Sequence, residues 1–391
     1  MKIAIFTDFF LPKVNGVVTS LEQLILELDR RGHEVLVITP AMKGAPKKMG
    51  SNIQLFYLPS IPAVIFPDTQ FGLLSPRLNR VFGKFAPDVV EIATPANVGI
   101  IGIVLAKMHR VPIIGTFHGY FMKPEYLQVV GIKKGVKFVE SVGWKYIEFI
   151  FRRCQRVISP SESVHQDLLA HNITTPIVVC PNGLNVDTNS FDLKKHNQIL
   201  KKFHLDPKNT LLYVGRLSKE KSIEKLIQAF YLLQLKLPET RLLLVGDGPD
   251  RKNLEQLVHL YDIDKKVVFM GELPHDKLFT LGIFKFGRVF VTCSVSEVQP
   301  MSVIEASFYG LPVVAPYSPG MTDLIEDGKN GFLVNSKLIE EYVERLTTLL
   351  TKEKLYQQFS KHALKKSEQF TVKYSADRYL EVFEQVVKIK R

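Results

Sequence analysis

Two glutamates, Glu297 and Glu305, lie eight residues apart in the second half of the chain. Ionised carboxylates only accept hydrogen bonds, so a pair of them suits a ligand rich in hydroxyl donors, such as a sugar or a ribose. The apolar run 288–293 predicts a buried parallel strand, and residues 302–309 predict a helix that ends at Gly310. Glu297 is therefore expected in a loop at the carboxyl end of a strand, where open α/β sheets bind ligands, and Glu305 in the following helix.

A second group of residues that could take part in chemistry lies at 214–221, where a glycine and two cations follow another apolar run. Gly215 allows the backbone to turn sharply. Arg216 and Lys221 are five residues apart and can reach one ligand from the loop and from the helix start. A guanidinium and an ammonium suit a leaving diphosphate, because its negative charge grows as the bond to it breaks.

Two segments downstream of the glutamates, residues 310–320 and 326–334, complete a recognisable pattern. Together with Glu297 and Glu305 they resemble the signature of the retaining, nucleotide-sugar-dependent glycosyltransferases of family four, which have the GT-B fold. Residues 214–221 look like the family's motif that binds the donor diphosphate, with Ser222 where the family usually has glycine. The resemblance covers nearly the whole chain.

The resemblance implies a role for each residue of this region. Glu297 would contact the donor sugar in catalysis, and Glu305 would accept hydrogen bonds from the nucleotide ribose. The backbone N–H groups of Met301 and Ser302 would bind the donor diphosphate at a helix start. Pro300 stands where the family often has glycine, and proline has no N–H to donate. No cofactor is expected, and no metal in the active site.

The first half of the chain contributes His118, which follows the apolar run 113–116. A histidine in that position is often structural, but the resemblance implies a catalytic contact with the donor sugar near its reacting carbon. Gly16 matches a small residue of the family that lets the backbone approach the donor. Asp8, at the end of the first predicted strand, could face the acceptor or serve as a turn or cap residue.

Two similar series of strands and helices must position these residues. Residues 2–7 and 34–40 predict strands around a helix at 17–31, and the alternation restarts with strands at 211–216, 241–248 and 267–271. We therefore predict an α/β chain of two Rossmann-like domains, an acceptor-binding one at residues 1–184 and a donor-binding one at 208–373, connected by residues 185–207. The resemblance to GT-B proteins implies a cleft between the domains and a final helix, 374–391, that crosses back to the first domain.

Composition limits the cellular setting and the partners. Three scattered cysteines indicate a reducing compartment, and neither a signal peptide nor a spanning segment is apparent. We expect a cytoplasmic protein, peripheral on the cytoplasmic face of the cell membrane. The net charge of +12 calls for an anionic partner. No recognised nucleic-acid-binding motif is present, which leaves an anionic membrane surface and phosphorylated substrates such as a nucleotide sugar.

Residues 123–156 hold eight basic and three acidic residues among aromatic and aliphatic ones. Two interpretations stay open: a helix at the interface of an anionic membrane, and a core helix with a solvated basic face. The segment resembles the acceptor-side region of bacterial diacylglycerol glycosyltransferases and phosphatidylinositol mannosyltransferases. The residues expected at the acceptor or membrane surface are Lys123, Lys133, Lys134, Lys137 and Trp144.

We therefore expect a retaining hexosyltransferase that uses a nucleotide-diphosphate sugar, with UDP-glucose or UDP-galactose favoured. Its expected acceptor is a membrane lipid such as diacylglycerol, and its product an α-linked glycolipid. Transfer to a soluble, polysaccharide or lipopolysaccharide acceptor is an alternative. Further alternatives are a sugar-nucleotide-binding protein or epimerase without transferase activity, and a purely structural protein that adheres to membranes. The sequence leaves the base, the sugar, the acceptor and the oligomeric state open.

Overall fold

A computed structural model describes residues 1–13, 15–62, 70–120, 135–295 and 297–390 of the chain. They form two compact units, Met1–Asn185 with Gln369–Arg391, and Val186–Glu368. Each unit is built on a parallel sheet with helices between its strands, which confirms the predicted α/β class and its two Rossmann-like halves.

The sheet of the first unit has seven strands in the order β3-β2-β1-β6-β7-β8-β9, and each neighbouring pair is parallel. Its central strands are apolar on both faces because helices cover both, as in β1, where Ile3 to Phe6 are fully buried. Strands β4 and β5 form a separate antiparallel pair. The elements are β1 (Lys2–Phe6), α1 (Gly16–Arg30), β2 (Glu34–Pro40), β3 (Ile53–Leu58), β4 (Ser60–Pro62), β5 (Gln70–Gly72), α2 (Pro76–Phe85), β6 (Val89–Ile92), α3 (Asn97–Met108), β7 (Ile113–Thr116), α4 (Val136–Phe151), β8 (Arg156–Ser159), α5 (Glu162–Ala170) and β9 (Ile177–Val179).

The second unit has a six-stranded parallel sheet in the order β12-β11-β10-β13-β14-β15. Residues 185–207, predicted to connect the domains, include helix α6, whose His196 stacks on Phe286 within this unit. The elements are α6 (Leu193–Lys202), β10 (Thr210–Val214), α7 (Ile223–Lys236), β11 (Arg241–Val245), α8 (Arg251–Leu260), β12 (Val267–Gly271), α9 (His275–Thr280), β13 (Val289–Val291), α10 (Met301–Phe308), β14 (Val313–Pro316), α11 (Pro319–Thr322), β15 (Gly331–Val334), α12 (Ile339–Thr351) and α13 (Glu353–Ser367).

The last helix, α14 (Val372–Lys390), returns the chain to the first unit. Its apolar face, which includes Ala376, Tyr379 and Phe383, is buried in a core that it shares with β1, β2 and α1. The spacing of these residues at three and four positions is that of one helix face. This packing explains why the final segment is amphipathic.

In both sheets the strand order reverses direction beside the first strand, between β1 and β6 and between β10 and β13. At such a point, consecutive crossovers run to opposite faces of the sheet, so the loops at the carboxyl ends of the two strands leave a crevice between them. The predicted phosphate loop follows β10 and the loop of Glu297 follows β13. The topology therefore brings these two loops together.

Candidate active site

Backbone contacts hold the loop of Arg216 against the loop that follows β11. The amide of Gly215 donates to the carbonyl of Val245 at 3.0 Å, and the amide of Leu217 donates to Asp247 at 2.9 Å. Gly246 has φ +135°, and a Cβ atom there would lie 2.0 Å from the carbonyl oxygen of Gly215. Only glycine permits this approach, so the phosphate loop owes its position to a residue outside the predicted motif.

The two predicted functional groups of the second unit meet directly. The Nζ atom of Lys221 donates to Oε1 of Glu297 at 2.5 Å, with 25% and 16% of the two side chains exposed. Arg216 lies exposed in the same loop, and its carbonyl accepts a hydrogen bond from the hydroxyl of Tyr213 at 3.1 Å. Burial, and then the charge of Glu297, raise the pKa of Tyr213 well above its usual value. Cation and carboxylate thus form one half-buried site at the switch point.

The backbone of Glu297 rests on a second close approach of glycine. A Cβ atom on Gly320 would lie 2.5 Å from the carbonyl oxygen of Glu297. Gly320 ends the segment 310–320 that carries part of the family resemblance, and it lies in the short helix α11. The segment therefore contributes to the site by fixing the position of the Glu297 loop.

Helix α10 offers an uncapped N-terminus beside that loop. Its first two residues are Met301 and Ser302, and Pro300 at the cap has no side-chain oxygen to accept their N–H groups. Glu305 follows one turn later and is 3% exposed. Its Oε1 atom lies 2.7 Å from Nε2 of His275, the first residue of α9. Nothing in the sequence pattern around His275 indicates this contact.

In the first unit, His118 follows β7 at the carboxyl edge of the sheet. Burial lowers the pKa of His118 to about 4, so its ring is neutral at pH 7. The Nε2 atom is buried and has no hydrogen-bond partner among the residues that the structure describes. Gly16 is the exposed first residue of α1, next to Asn15, whose side chain caps the helix by accepting from the amide of Val18 at 2.9 Å.

Asp8 proves to be a cap residue. Its Oδ1 atom accepts from the amide of Val98 in the first turn of α3 at 3.0 Å, and its Oδ2 atom accepts from the hydroxyl of Thr94 at 2.8 Å. Burial is the largest influence on Asp8 and raises its pKa to about 6. Of the two readings that the sequence left open for Asp8, the structure therefore supports the cap.

Comparison with known proteins identifies the family. The family model described as Glycosyltransferase Family 4 matches residues 14–188, and the model described as Glycosyl transferases group 1 matches residues 195–366. A GDP-mannose-dependent alpha-mannosyltransferase of Mycolicibacterium smegmatis is 30% identical over 341 residues, which cover 86% of this chain and 84% of that protein. The chain belongs to the family-four glycosyltransferases.

Two further comparisons place this glycosyltransferase among its relatives. The alpha-monoglucosyldiacylglycerol synthase of Acholeplasma laidlawii is 27% identical over 371 residues, which cover 93% of this chain and 92% of that protein. The crystal structure of Anabaena HepE in complex with UDP-glucose matches with a TM-score of 0.77 at 18% identity, covering 98% of this chain and all of that one. The structural match confirms the GT-B fold.

The residues predicted at the acceptor or membrane surface of the glycosyltransferase have different outcomes. Lys137 is exposed near the start of α4, whereas Lys123, Lys133 and Lys134 lie outside the described residues. Trp144 does not lie on an exposed surface, because its side chain is only 6% exposed, and its contact with the acceptor stays a prediction. Its ring stacks on His171, with centroids 3.6 Å apart, and on Phe117, with centroids 6.0 Å apart.

Other apolar side chains of α4 and α3 are exposed in its place. They repeat at helical spacing along each helix, and we call them the α3–α4 face: Ile100, Val104 and Met108 on α3, with Phe138, Val142 and Phe149 on α4. The two helices follow successive parallel strands and therefore lie on one side of the sheet. The hydroxyl of Tyr146 on α4 contacts the carbonyl of Ala96 at the start of α3 at 3.5 Å. Exposed cations adjoin the face: Lys107, Arg110, Lys137 and Lys145.

The described residues of the glycosyltransferase contain neither a membrane-spanning helix nor a metal-binding cluster of side chains. None of their helices is both long and apolar enough to span a membrane. Within the same ranges, no group of three or more histidine, cysteine, aspartate or glutamate side chains could hold a metal ion. The chain contains one pair of aspartates at Asp-x-Asp spacing, Asp262 and Asp264. This pair lies before β12, at the edge of the sheet opposite to the loops of Lys221 and Glu297, and is therefore remote from the candidate site.

Proposed function

We propose that this glycosyltransferase moves a hexose from a nucleotide-diphosphate sugar, UDP-glucose or UDP-galactose in the first place, to a membrane lipid such as diacylglycerol. The contact between Lys221 and Glu297 at the switch point carries the donor half of the proposal. A cation for the diphosphate and a carboxylate for the sugar hydroxyls, placed side by side, fit the two adjoining parts of a nucleotide sugar. The name of the Acholeplasma relative favours glucose as the sugar.

The proposed reaction retains configuration and gives an α-linked product. The bond between the anomeric carbon and the diphosphate oxygen breaks, and its electron pair leaves with the diphosphate. Arg216, Lys221 and the free N–H groups of α10 stabilise the charge that develops there. The acceptor hydroxyl bonds to the anomeric carbon on the same face, and its proton passes to the departing diphosphate.

Two further parts of the proposal concern groups around the sugar. His118 contacts the sugar next to the reacting carbon as a neutral ring, since burial lowers its pKa to about 4. No metal takes part, because protein cations and N–H groups bind the diphosphate. Activity in the presence of a chelator, after dialysis against it, tests this point.

The α3–α4 face carries the acceptor half of the proposal. It presents Phe138, which is 74% exposed, and Met108, which is 64% exposed. Apolar rings beside exposed lysines suit the boundary of an anionic bilayer, where each near-surface cation contributes about 1 kcal/mol. Tyr146 on α4 lies near Asp8 at the carboxyl edge of the sheet, and burial and then Asp8 raise the pKa of Tyr146 to about 12. The face therefore adjoins the edge at which His118 lies.

Labelled donors test the reaction. UDP-glucose, UDP-galactose and GDP-mannose are incubated with vesicles that contain diacylglycerol, and label is followed into lipid, into water-soluble sugar and into other acceptors. We expect a lipid product whose anomeric proton shows the α configuration. Donor hydrolysis without lipid product would favour a soluble or polysaccharide acceptor. Failure of every nucleotide diphosphate to bind would overturn the donor half.

Charge substitutions on the α3–α4 face test the acceptor half. Phe138→Glu and Met108→Glu should each reduce co-sedimentation with anionic vesicles and transfer to lipid, while leaving the affinity for free UDP unchanged. Leu260→Glu is the matched control, since Leu260 is 77% exposed on α8 of the other unit. Raising the salt concentration should weaken vesicle binding, because it screens surface charges over about 8–10 Å. Equal pelleting of all variants would remove the membrane from the proposal.

A further inference from the structure

The carboxylate of Glu305 is in hydrogen-bond contact with a histidine side chain. Its side chain is 4% exposed, whereas that of His275, 2.7 Å away, is 25% exposed. The two residues come from different elements, since His275 begins α9 after β12 and Glu305 lies on α10 after β13. A carboxylate this deeply buried needs hydrogen-bond donors, and His275 supplies one at charge-assisted distance.

The imidazole of His275 packs against an aromatic ring on its own helix. The ring of Phe279, one turn further along α9, meets the ring of His275 edge-on, with centroids 5.0 Å apart and an angle of 87° between the planes. This ring contact and the bond from Nε2 to Oε1 of Glu305 together restrict the orientation of the imidazole. A carboxylate has about four acceptor positions on its two oxygens, so one bond from His275 leaves room for two hydroxyl donors.

We propose that His275 is a positioning residue for recognition of the nucleotide ribose. By binding Oε1, it sets the rotation of the Glu305 carboxylate so that the remaining acceptor positions face the two ribose hydroxyls. This inference rests on the proposed ribose role of Glu305. It adds that the preference for a ribonucleotide over a deoxyribonucleotide depends on a residue that does not itself touch the nucleotide.

Pairs of nucleotides that differ in one hydroxyl test the inference. Dissociation constants are measured by calorimetry for UDP and for its 2′-deoxy and 3′-deoxy analogues, or for the guanosine series if GDP binds more tightly. We expect the wild type to bind UDP at least about ten-fold more tightly than one of the analogues, as for a hydrogen bond to a charged group. His275→Phe keeps a ring against Phe279 but has no donor, and it should reduce that ratio to about two-fold or less.

Two more variants separate positioning from general damage. His275→Gln places an amide N–H near the position of Nε2. This variant should therefore recover much of the wild-type preference for UDP over the deoxy analogue. His259→Phe removes an exposed histidine of α8 that lies 3.4 Å from Asp264, and it should leave the ratio unchanged. A ratio in His275→Phe equal to that of the wild type would overturn the inference, as would failure of His275→Gln to exceed His275→Phe.

The wild type and Glu305→Gln distinguish this inference from the function on which it rests. If the wild type binds UDP and both deoxy analogues equally, the ribose role of Glu305 is wrong. If the wild type discriminates and Glu305→Gln does not, the ribose role stands, and the result for His275→Phe decides the positioning role alone. Thermal unfolding of each variant shows that the compared proteins are folded.

Discussion

Replacing Glu297 by glutamine should strengthen the binding of free UDP although it weakens catalysis. In the structure Lys221 donates to Glu297 at 2.5 Å, so a diphosphate must compete with that carboxylate for the ammonium group. The substitution removes the competitor and also a negative charge beside the diphosphate. The rate of sugar transfer should fall, because the donor sugar no longer has the Glu297 carboxylate to bind its hydroxyls.

The magnitude follows from the exposure of the pair. A hydrogen bond to a charged group contributes about 1.5–3 kcal/mol when it is protected from water, and an exposed ion pair about 0.2–1 kcal/mol. Lys221 and Glu297 are 25% and 16% exposed, so solvent screens their interaction in part. We take about 1 kcal/mol, which corresponds to roughly a five-fold lower dissociation constant for UDP at 1.4 kcal/mol per factor of ten.

Calorimetry on the wild type and four variants provides the test. Lys221→Met should weaken UDP binding about ten- to a hundred-fold, the effect of losing one charge-assisted bond. Adding Glu297→Gln to Lys221→Met should raise the affinity for UDP less than the same substitution does in the wild type, because removing the competitor has an effect only when Lys221 is present. Glu220→Gln is the control, since it removes a nearby charge whose partner is Ser218. Weaker UDP binding by Glu297→Gln, or an equal gain without Lys221, would refute the reasoning.

Three further substitutions follow from the geometry. Ser222→Gly should raise the free energy of unfolding in urea by up to about 1 kcal/mol, because Ser222 has φ +51°, a conformation that costs non-glycine residues about 1–2 kcal/mol. Gly320→Ala should lower the turnover number more than the affinity for UDP in steady-state and calorimetric assays, since the new Cβ would lie 2.5 Å from the carbonyl oxygen of Glu297 and displace its loop. Glu91→Gln should reduce the decrease in unfolding free energy that occurs as the pH rises from 5 to 8. Burial raises the pKa of Glu91 to about 7, so the folded protein holds a proton there that the unfolded chain has already lost. The contribution of Glu91 to the free energy of unfolding is therefore fully present below its unfolded pKa and is lost as the pH rises through 7.

The size of the Glu91 effect is about 2–3 kcal/mol over that range, at 1.36 kcal/mol per pKa unit. Burial raises the pKa of Asp8 to about 6, so Asp8 titrates in the same window in both proteins. The difference between wild type and Glu91→Gln therefore isolates Glu91. Parallel curves of unfolding free energy against pH for the wild type and Glu91→Gln would contradict this prediction. For Ser222→Gly, an unchanged urea midpoint would contradict the expected gain in stability.

Much of the fold follows from local pattern. Apolar runs bounded by turn residues predicted β1 and β2 of the first sheet and β10 to β13 of the second, since strands covered by helices on both faces are apolar throughout. The strands β3, β14 and β15 were not predicted. The glutamate loop and the phosphate loop fell at carboxyl ends of strands for the same reason. That these two loops are neighbours depends on the strand order, which hydrophobic periodicity does not reveal and which the structure shows.

The orientation of α4 was not predictable in this way. Its apolar residues occur on both faces, so Trp144 and Ile147 are buried while Phe138 and Val142 are exposed. A pattern of this kind does not reveal which side of the helix meets the sheet, so the burial of Trp144 was not predictable from it. Contacts between separate helices, such as that of His275 on α9 with Glu305 on α10, have no local signal in the sequence either.

The glycines explain how side chains on loops reach catalytic precision in the second unit. Gly246 brings one backbone against Gly215, and Gly320 brings another against Glu297, at separations that any Cβ atom would prevent. Main-chain contacts therefore hold the loops of Lys221 and Glu297 in position, and the main chain has no rotamers to change. In the proposed reaction, Lys221 turns from Glu297 to the diphosphate and Glu297 turns from Lys221 to the sugar, and each change needs only side-chain rotation. The expected gain in UDP affinity for Glu297→Gln measures the free energy of that exchange.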